Sequence, residues 1–255
     1  MKVSIVTAVR NGAQAIPATI RSVAEQTYHN LEHIFVDGAS TDGTLEAIKA
    51  GSSASSVILS EPDTGVYDAF NKGLRLARGE VVAYLNAGDT YIDSTTVAKI
   101  MQVFETADVD AVFGNVAIVD QHDTSRIVRR YSSTRFRRSL IAYGFMPAHP
   151  TLFVRRSVYE HFGEYDTSYR IAGDFEFVAR VFGRGGVTFS CIPAMLVRMP
   201  RGGLSSAGPR STLTITREMK RACRQNGIAT NYFKLSLRIP IKLAEMWPRG
   251  RTESL

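Results

Sequence analysis

Apolar and polar residues alternate with two different periods along the first half of the chain. Residues 3–9 form a continuous apolar run rich in β-branched residues, which is typical of a strand buried on both faces. Residues 13–26 then place Ile16, Ile20 and Val23 on one side of a predicted helix. Further strands are predicted at residues 33–36, 56–59 and 81–85, and further helices around residues 45–48, 67–77 and 95–104. Strands and helices that alternate at this interval predict βαβ units and a mostly parallel sheet, which is an α/β fold.

The pattern changes after a further apolar segment at residues 111–119. The segment that follows, residues 126–138, carries six arginines with Tyr131 and Phe136 between them. A strand is predicted at residues 151–154, a helix at 174–182 and an extended segment at 187–197.

The C-terminal residues predict one or two amphipathic helices. Residues 233–243 also alternate with period two, but Pro240 argues against a central strand there. The sequence therefore predicts a main domain over residues 1–207, with one half at 1–120 and a second half at 121–207. A basic helical extension is predicted over residues 208–255.

Composition indicates an ordinary soluble globular protein. The 255 residues are 44% hydrophobic and 22% charged, and no run approaches the roughly 20 apolar residues that span a bilayer. The N-terminal apolar run is short and lacks a cleavage site, so we interpret it as a strand and expect a cytoplasmic protein. Cys191 and Cys223 match no metal or redox spacing and are expected to be reduced thiols.

The net charge of +7 resides in the extension. Residues 210–255 contain ten Lys and Arg against three Glu, so the rest of the chain is neutral in sum. Such a tail attracts an anionic membrane surface, although packing against the catalytic domain or a partner chain explains the same pattern. The arginines of residues 126–138 are interpreted as a solvated face, and no nucleic acid partner is expected.

Polar clusters follow the first four predicted strands, at the place where each strand ends. Asn11 follows the first strand, Asp37 the second, Asp63 the third, and Asn86 and Asp89 the fourth. Ligands of an open parallel sheet bind at these carboxyl ends. The chain lacks both the Gly-x-Gly-x-x-Gly fingerprint and a P-loop, which excludes those two modes of phosphate binding. The clusters instead suggest a ligand held by its base and ribose, with its phosphates neutralised by a metal.

These clusters carry a resemblance to glycosyltransferase family 2. The runs VSIVTAVRN from Val3, VDGASTDGT from Val36, EPDTGVYDAFNKG from Glu61 and YLNAGD from Tyr84 resemble the opening of that family. The resemblance is strong over residues 1–120 and continues weakly to about residue 206 through HP at 149–150, AGDFE from Ala172 and GGLS from Gly202. It implies the GT-A fold, a Rossmann-like, mostly parallel sheet flanked by helices, and inversion at the anomeric carbon of a sugar from a nucleotide diphosphate donor.

The resemblance also implies roles for individual residues around the donor. Donor contacts are expected from Thr7, Arg10, Asp37, Asp63, Asn71 and Asn86. Asp89 corresponds to the metal ligand of the family's acidic motif, but Asn86 and Gly88 stand where Asp is usual. One carboxylate, two diphosphate oxygens and waters suffice for Mn²⁺ or Mg²⁺, so one such ion is expected.

On the acceptor side, the resemblance implies a general base late in the domain at the start of a helix. Asp174 matches that place, with Glu176 as the nearby alternative, and an Asp there is also a good helix cap. His149 is interpreted either as a contact to the acceptor or diphosphate or as a loop histidine. The turn at residues 202–203 is either an ordinary loop or a lid that directs Arg201 to phosphate. The acceptor is expected to be a glycan or a lipid-linked molecule.

Two other functions remain open on the sequence. A nucleotidyltransferase could use a similar sheet, although such enzymes usually open with a Gly-rich basic loop and residues 7–12 offer only Arg10 and Gly12. A non-catalytic nucleotide-sugar binder is favoured if the altered metal motif abolishes activity. Asp37 and Asp42, each followed by glycine, could also be simple turn residues.

Overall fold

The computed structural model describes residues 1–121, 123–202 and 209–238. Over these residues the strands are β1 (Val3–Val9), β2 (Leu31–Asp37), β3 (Val57–Ser60), β4 (Val81–Tyr84), β5 (Thr90–Tyr91), β6 (Ala111–Val119), β7 (Ile127–Tyr131), β8 (Phe153–Arg155) and β9 (Phe189–Pro200). The helices are α1 (Ile16–Ala24), α2 (Thr44–Gly51), α3 (Val66–Leu76), α4 (Thr96–Thr106), α5 (Arg156–Phe162), α6 (Gly173–Gly183), α7 (Pro209–Gln225) and α8 (Tyr232–Ser236). Short 3₁₀ helices occupy Arg138–Tyr143 and His149–Thr151.

The strands form one sheet in the order β3-β2-β1-β4-β8-β6-β9-β5, with β7 paired to β6. The first four strands in that order are parallel, and so are β6 and β9. Strand β8 runs antiparallel between β4 and β6. The predicted α/β fold with a mostly parallel sheet is therefore confirmed.

Alternate residues of the central strands point to opposite faces of the sheet and enter two different hydrophobic clusters. Val6 and Val82 belong to the cluster covered by α3, α6 and α7, whereas Val3 and Val81 belong to the cluster covered by α1 and α4. Because both faces are covered by helices, these strands are mainly apolar along their length, which is the pattern that predicted them.

Several elements differ from the sequence prediction. The strand predicted at residues 151–154 begins only at Phe153, because Pro150 lies in a 3₁₀ turn that precedes it. The arginine-rich segment contains β7, and its Phe136 is buried in the core, so that ring is not available for stacking on a base. Short elements β5 and α5 were not predicted, since two and seven residues carry little periodic signal.

The described part of the C-terminal extension is helical and packs on the rest of the chain. Ile215, Met219 and Ala222 of α7 and Leu235 of α8 belong to the larger core cluster. Two predicted features lie outside the described residues. One is the segment of residues 239–255, which includes Pro240, and the other is residues 203–205, which include the second residue of the turn proposed as a lid. None of the helices in the described ranges has the length and hydropathy of a membrane span. Cys191 and Cys223 are free thiols.

Candidate functional site

The carboxyl ends of the first four parallel strands bring their loops to one edge of the sheet. Val9 lies beside Asp37, and Asp37 lies beside Ser60, in the registers of β1, β2 and β3. The β1 loop also approaches the β4 loop, since a Cβ atom added to Gly12 would lie 3.7 Å from the Cβ of Ala87. The segments that follow the strands therefore form a continuous rim.

Hydrogen bonds join the β1 and β2 loops into one unit. The backbone N–H of Thr41 donates to Asn11 Oδ1 at 2.9 Å, and the N–H of Asn11 donates to Ser40 Oγ at 2.8 Å. The Asp42 carboxylate accepts from the N–H of Ala13 at 3.1 Å and from its own loop at Thr44. Asp42 is therefore a loop-bracing residue in this structure, as the turn interpretation anticipated.

Arg10 and Asp63 present opposite charges on either side of Gly38. A Cβ atom on Gly38 would lie 2.2 Å from Asp63 Oδ2 and 3.4 Å from Arg10 Cβ, so only glycine permits this approach. Asp63 is half-buried and Arg10 is exposed. Both side chains are placed to contact a ligand at the rim.

Three predicted donor contacts lie beneath the rim instead of on it. Thr7 has no exposed surface, and its hydroxyl hydrogen bonds to Leu85 O at 2.7 Å and to His33 Nε2 at 2.9 Å. Asp37 is equally buried and accepts from Ser60 Oγ at 2.6 Å. In this structure both side chains support the loops above them, and direct contacts of Thr7 and Asp37 with a donor stay a prediction.

Asn71 is the third buried member of the predicted donor set. Its side-chain amide pairs with both main-chain groups of Tyr165, donating to the carbonyl at 2.8 Å and accepting from the N–H at 2.9 Å. Both ends of the amide are satisfied within the protein. Asn71 thus fixes the segment that leads to Asp174, and its contact with a donor stays a prediction.

The turn at residues 86–89 is held in place by Thr19 from α1. The Thr19 hydroxyl accepts from the N–H of Gly88 at 2.9 Å and donates to Asp89 O at 2.9 Å. Gly88 adopts a φ of +96°, a left-handed conformation that favours glycine over the Asp usual in the family. Asn86 is half-buried beside Asp89 at the same rim.

Asp89 is a buried carboxylate without a cationic partner among the described residues. Its side chain is 5% exposed, and burial raises its pKa to about 8, against a smaller lowering by the Asn86 backbone. A divalent cation would supply the missing positive charge, so the site fits a metal. The described residues contain no group of three or more His, Cys, Asp or Glu side chains that could hold one. Any ion would therefore take most of its ligands from phosphate oxygens and water.

Asp174 lies in the first turn of α6, close to the start of α3. Its Oδ1 accepts from the N–H of Phe175 at 2.7 Å and lies 3.4 Å from Tyr67 Oη. Tyr67 packs directly against Gly173, where a Cβ atom would lie 2.7 Å from the ring. Because Tyr67 follows the loop that leaves β3, Asp174 is brought to the rim of the site.

The environments of Asp174 and Glu176 differ sharply. Asp174 is half-buried, and burial raises its pKa to about 6, although hydrogen bonds from Phe175 and Tyr67 oppose the rise. Glu176 is 4% exposed and paired with Arg180 at 2.9 Å, with Asn226 donating to the same carboxylate. Because Arg180 binds both carboxylate oxygens of Glu176, the geometry favours Asp174 of the two.

His149 lies at the same edge, just before β8, which runs antiparallel to β4. Its ring stacks on Phe70 with centroids 5.5 Å apart, and Nε2 lies 3.0 Å from Tyr165 Oη. Burial lowers its pKa to about 4, so the imidazole is neutral near pH 7. His149 can take part in hydrogen bonds at the rim, but it does not supply a positive charge for phosphate.

Arg201 follows the last residue of β9 and is exposed. Pro200 lies beside the turn at residues 86–89, since its Cγ would lie 3.9 Å from a Cβ atom added to Gly88. The N–H of Arg201 donates to Val119 O at 2.9 Å, which fixes the backbone there. Arg201 therefore directly follows a residue that lies beside the turn carrying Asp89, and its contact with a diphosphate stays a prediction.

Sequence reasoning did not identify the residues that hold Asp174 in position. Tyr67 and Tyr165 form part of an aromatic cluster with Phe70, Tyr84 and His149, and Glu218 of α7 binds the segment before Asp174. Tyr67 and Phe70 lie in the quoted run from Glu61 and Tyr84 begins the run YLNAGD, but Tyr165 and Glu218 lie in no quoted motif. Only the tertiary structure shows their common location.

Comparisons with known proteins agree with this geometry. A family profile described as Glycosyl transferase family 2 matches residues 4–163. A protein of Mycobacterium bovis named PGL/p-HBAD biosynthesis glycosyltransferase is 28% identical over 257 residues, covering 96% of this chain and 91% of its own. A protein of the same name from Mycobacterium tuberculosis has the same identity and coverage.

Solved structures show the same fold. A mannosyltransferase from Pyrobaculum calidifontis, in complex with GDP-Man and Mn²⁺, superposes with a TM-score of 0.67 at 20% identity, over 96% of this chain and 72% of that one. TarS 1-349 from S. aureus, in complex with UDP, gives a TM-score of 0.66 at 16% identity, over 94% and 71% of the two chains. At such identities the likeness establishes the GT-A architecture alone.

Proposed function

Because the chain belongs to glycosyltransferase family 2 and is a nucleotide-sugar glycosyltransferase, we propose that it transfers the sugar with inversion to a hydroxyl group. The observation that carries this proposal is Asp174, a carboxylate with a pKa of about 6 at the rim where the strand-end loops meet. Such a group is largely ionised near neutral pH yet basic enough to accept a proton. The alternatives of a nucleotidyltransferase and of a binder without activity lack a comparable supporting observation.

The residues at the rim divide the work of the reaction. Asp174 accepts the proton of the acceptor hydroxyl while that oxygen attacks the anomeric carbon, and the bond from that carbon to the diphosphate oxygen breaks. Arg10 and Arg201 provide positive charge for the diphosphate, and Asp63 accepts hydrogen bonds from the donor. His149, being neutral, contributes a hydrogen bond to the acceptor or the diphosphate.

One Mn²⁺ or Mg²⁺ ion is proposed at Asp89, with Asn86 beside it. When bound, the ion would stabilise the negative charge that develops on the leaving nucleoside diphosphate. The buried carboxylate of Asp89, which has no cationic partner among the described residues, supports this assignment, and so does the Mn²⁺ in the complex of the Pyrobaculum calidifontis mannosyltransferase.

The acceptor is proposed to be a glycan or a lipid-linked molecule, and the mycobacterial relatives named for PGL/p-HBAD biosynthesis support a glycolipid. The surface of α7 supports the same proposal. Leu213, Arg217, Lys220 and Arg224 follow each other at helical spacing on the side opposite the buried residues of α7. No acidic residue interrupts this cationic stripe in the described part of the extension.

Helix α8 continues the cationic stripe with exposed aromatic side chains. Phe233 is 72% exposed and Tyr232 is 51% exposed, and Lys220 Nζ lies 4.2 Å from the centroid of the Tyr232 ring. Lysine and arginine beside exposed aromatic rings are suited to an anionic bilayer surface. Because the cytoplasmic leaflet carries the negative surface potential, we propose that the enzyme works there.

Donor turnover tests the proposed reaction. We expect one nucleotide sugar in a panel of UDP-, GDP- and dTDP-sugars to raise the melting temperature in the presence of Mn²⁺, and to be converted to the nucleoside diphosphate. Asp174→Asn should lower kcat by at least about a hundredfold with little change in donor affinity. Asp108→Asn, the same change at an exposed position, serves as the control. Full turnover by Asp174→Asn would show that Asp174 is not the base.

A further inference from the structure

The segment that delivers Asp174 to the rim is clamped from two sides. Asn71 holds Tyr165 at its beginning, and Tyr67 of α3 donates a hydrogen bond of 2.5 Å to Ile171 O near its end. On the other side α7 contacts the same segment, with Arg221 bound to Ser168 Oγ at 2.6 Å. The position of the segment therefore depends on a helix that the sequence assigned to an extension.

Glu218 makes the most concentrated contact of that helix. Its carboxylate accepts hydrogen bonds from three consecutive backbone N–H groups, those of Arg170 at 2.9 Å, Ile171 at 3.0 Å and Ala172 at 2.8 Å. Ala172 is the N-cap of α6, and its own side chain makes no capping hydrogen bond. Glu218 thus binds, from another helix, the backbone N–H groups that lead into α6, including that of the N-cap residue.

The backbone of Ile171 connects Glu218 to the surroundings of Asp174. Its N–H is held by Glu218 and its carbonyl by Tyr67, and the same Tyr67 hydroxyl lies 3.4 Å from Asp174 Oδ1. Removing the Glu218 carboxylate would leave the backbone N–H groups of residues 170–172 without this acceptor and would free the start of α6. The carboxylate of Asp174, two residues after Ala172, would then lose its fixed orientation.

We propose that Glu218 is a positioning residue for the proposed general base, and that α7 is consequently part of the catalytic unit. This inference rests on the proposed function, because it concerns the residue assigned there as the base. Glu218 itself is bound to backbone groups and does not contact the substrate. Its negative charge has a second effect, since it adds to the rise in the pKa of Asp174 that burial mainly causes.

Three substitutions at Glu218 separate positioning from a general structural role. Glu218→Ala removes the acceptor and the charge, Glu218→Gln keeps an oxygen that accepts N–H groups but removes the charge, and Glu218→Asp keeps the charge but is shorter. With the donor selected in the nucleotide-sugar panel, we expect Glu218→Ala to lower kcat about tenfold to a hundredfold while the donor KM stays unchanged. Glu218→Gln should recover part of the loss.

The pH dependence of kcat distinguishes a positioning role from a purely structural role, because a structural role would not shift it. Because the Glu218 charge raises the pKa of Asp174, removing it in Glu218→Gln should shift the acid limb of kcat to lower pH. Glu218→Asp should leave the limb where it is in the wild type. Glu105→Gln removes the same charge at an exposed position of α4 and serves as the control. It should leave kcat, KM and the acid limb unchanged.

The outcomes distinguish this inference from the proposed function. If Asp174→Asn is inactive but Glu218→Gln has the wild-type kcat and pH profile, only the positioning role is overturned. A donor KM that worsens in step with kcat would likewise overturn it, since the site as a whole would then be damaged. If Asp174→Asn keeps full activity, the assignment of the base fails instead. Should Glu218→Ala not fold, Glu218→Gln still decides.

Discussion

At the scale of single residues, three carboxylates near the site have different chemistry because their neighbours differ. Glu176 is neutralised by Arg180, Asp174 is half-buried with hydrogen-bond donors beside it, and Asp89 is buried without a cation among the described residues. Burial disfavours the ionised form, whereas donors and cations favour it. The proposed proton acceptor, Asp174, and the proposed metal ligand, Asp89, therefore differ in their surroundings from the structural ion pair of Glu176.

The pKa of Asp174 predicts how activity depends on pH. A base must be deprotonated to accept a proton, and burial raises this pKa to about 6, so kcat should fall as the pH drops through that value. Activity falls toward acid pH, and not toward alkaline pH, because protonated Asp174 cannot accept a proton. A pH series of nucleoside diphosphate release at saturating donor measures it. An acid limb at the ordinary value of an exposed Asp would contradict the assignment.

Removing the Asp89 carboxylate should uncouple nucleotide binding from the metal. In the wild type we expect Mn²⁺ to increase the rise in melting temperature that UDP or GDP produces, because the ion neutralises the diphosphate. Asp89→Asn should abolish the contribution of Mn²⁺ while the protein remains folded. Asp108→Asn again serves as the control of equal charge. An undiminished Mn²⁺ effect in Asp89→Asn would place the metal elsewhere.

At the scale of secondary-structure elements, the site depends on loops that are bound to neighbouring helices. Thr19 of α1 holds the turn before β5, and Asn71 and Tyr67 of α3 hold the segment before α6. The ends of strands alone would leave these loops free to move. Side chains on packed helices fix them, which is how a rim made of loops keeps a defined geometry.

Loss of the Asn71 amide should destabilise the protein and disturb the site together. Asn71→Leu leaves the N–H and the carbonyl of Tyr165 buried without partners, which costs about 1–3 kcal/mol of unfolding free energy. Urea unfolding of the variant measures this cost, and Gln102→Leu at an exposed position of α4 is the matched control. Equal unfolding midpoints for the two variants would show that the Asn71 pair contributes little.

At the scale of the whole molecule, α7 connects the site to a charged surface. One side of the helix enters the core through Ile215, Met219 and Ala222, and Glu218 reaches the segment before Asp174. The opposite side carries the cationic stripe. The same helix thus links the proposed base to the surface that we propose for an anionic membrane.

Vesicle binding should depend on the cationic stripe. We expect the protein to sediment with vesicles of phosphatidylcholine and phosphatidylglycerol but not of phosphatidylcholine alone, since each surface Lys or Arg contributes about 1 kcal/mol. Reversal of Arg217, Lys220 and Arg224 to Glu should abolish this binding, and added salt should weaken it in the wild type. Reversal of the exposed Arg21, Lys49 and Arg184 controls for net charge. An equal loss of vesicle binding in both triple variants would show that binding depends on net charge and not on the cationic stripe.

The sequence by itself determined the architecture and which loops meet at the rim. Apolar runs such as residues 3–9 identify strands buried on both faces, and the order of strands and helices fixes which ends meet, so the segments that carry Asp37, Asp63, Asn86 and Asp89 could be grouped without coordinates. These predictions succeed because burial imposes a period on neighbouring residues, which a sequence records directly.

Only the tertiary structure decided which of these side chains reach the surface and what holds the base. Thr7, Asp37 and Asn71 were predicted as contacts, but each is buried and bonded within the protein. Exposure and hydrogen-bond partners arise from residues distant in sequence, and no local pattern encodes them. Glu218 and Asp174, which lie on different helices and are connected through the backbone of residues 170–172, are the plainest case.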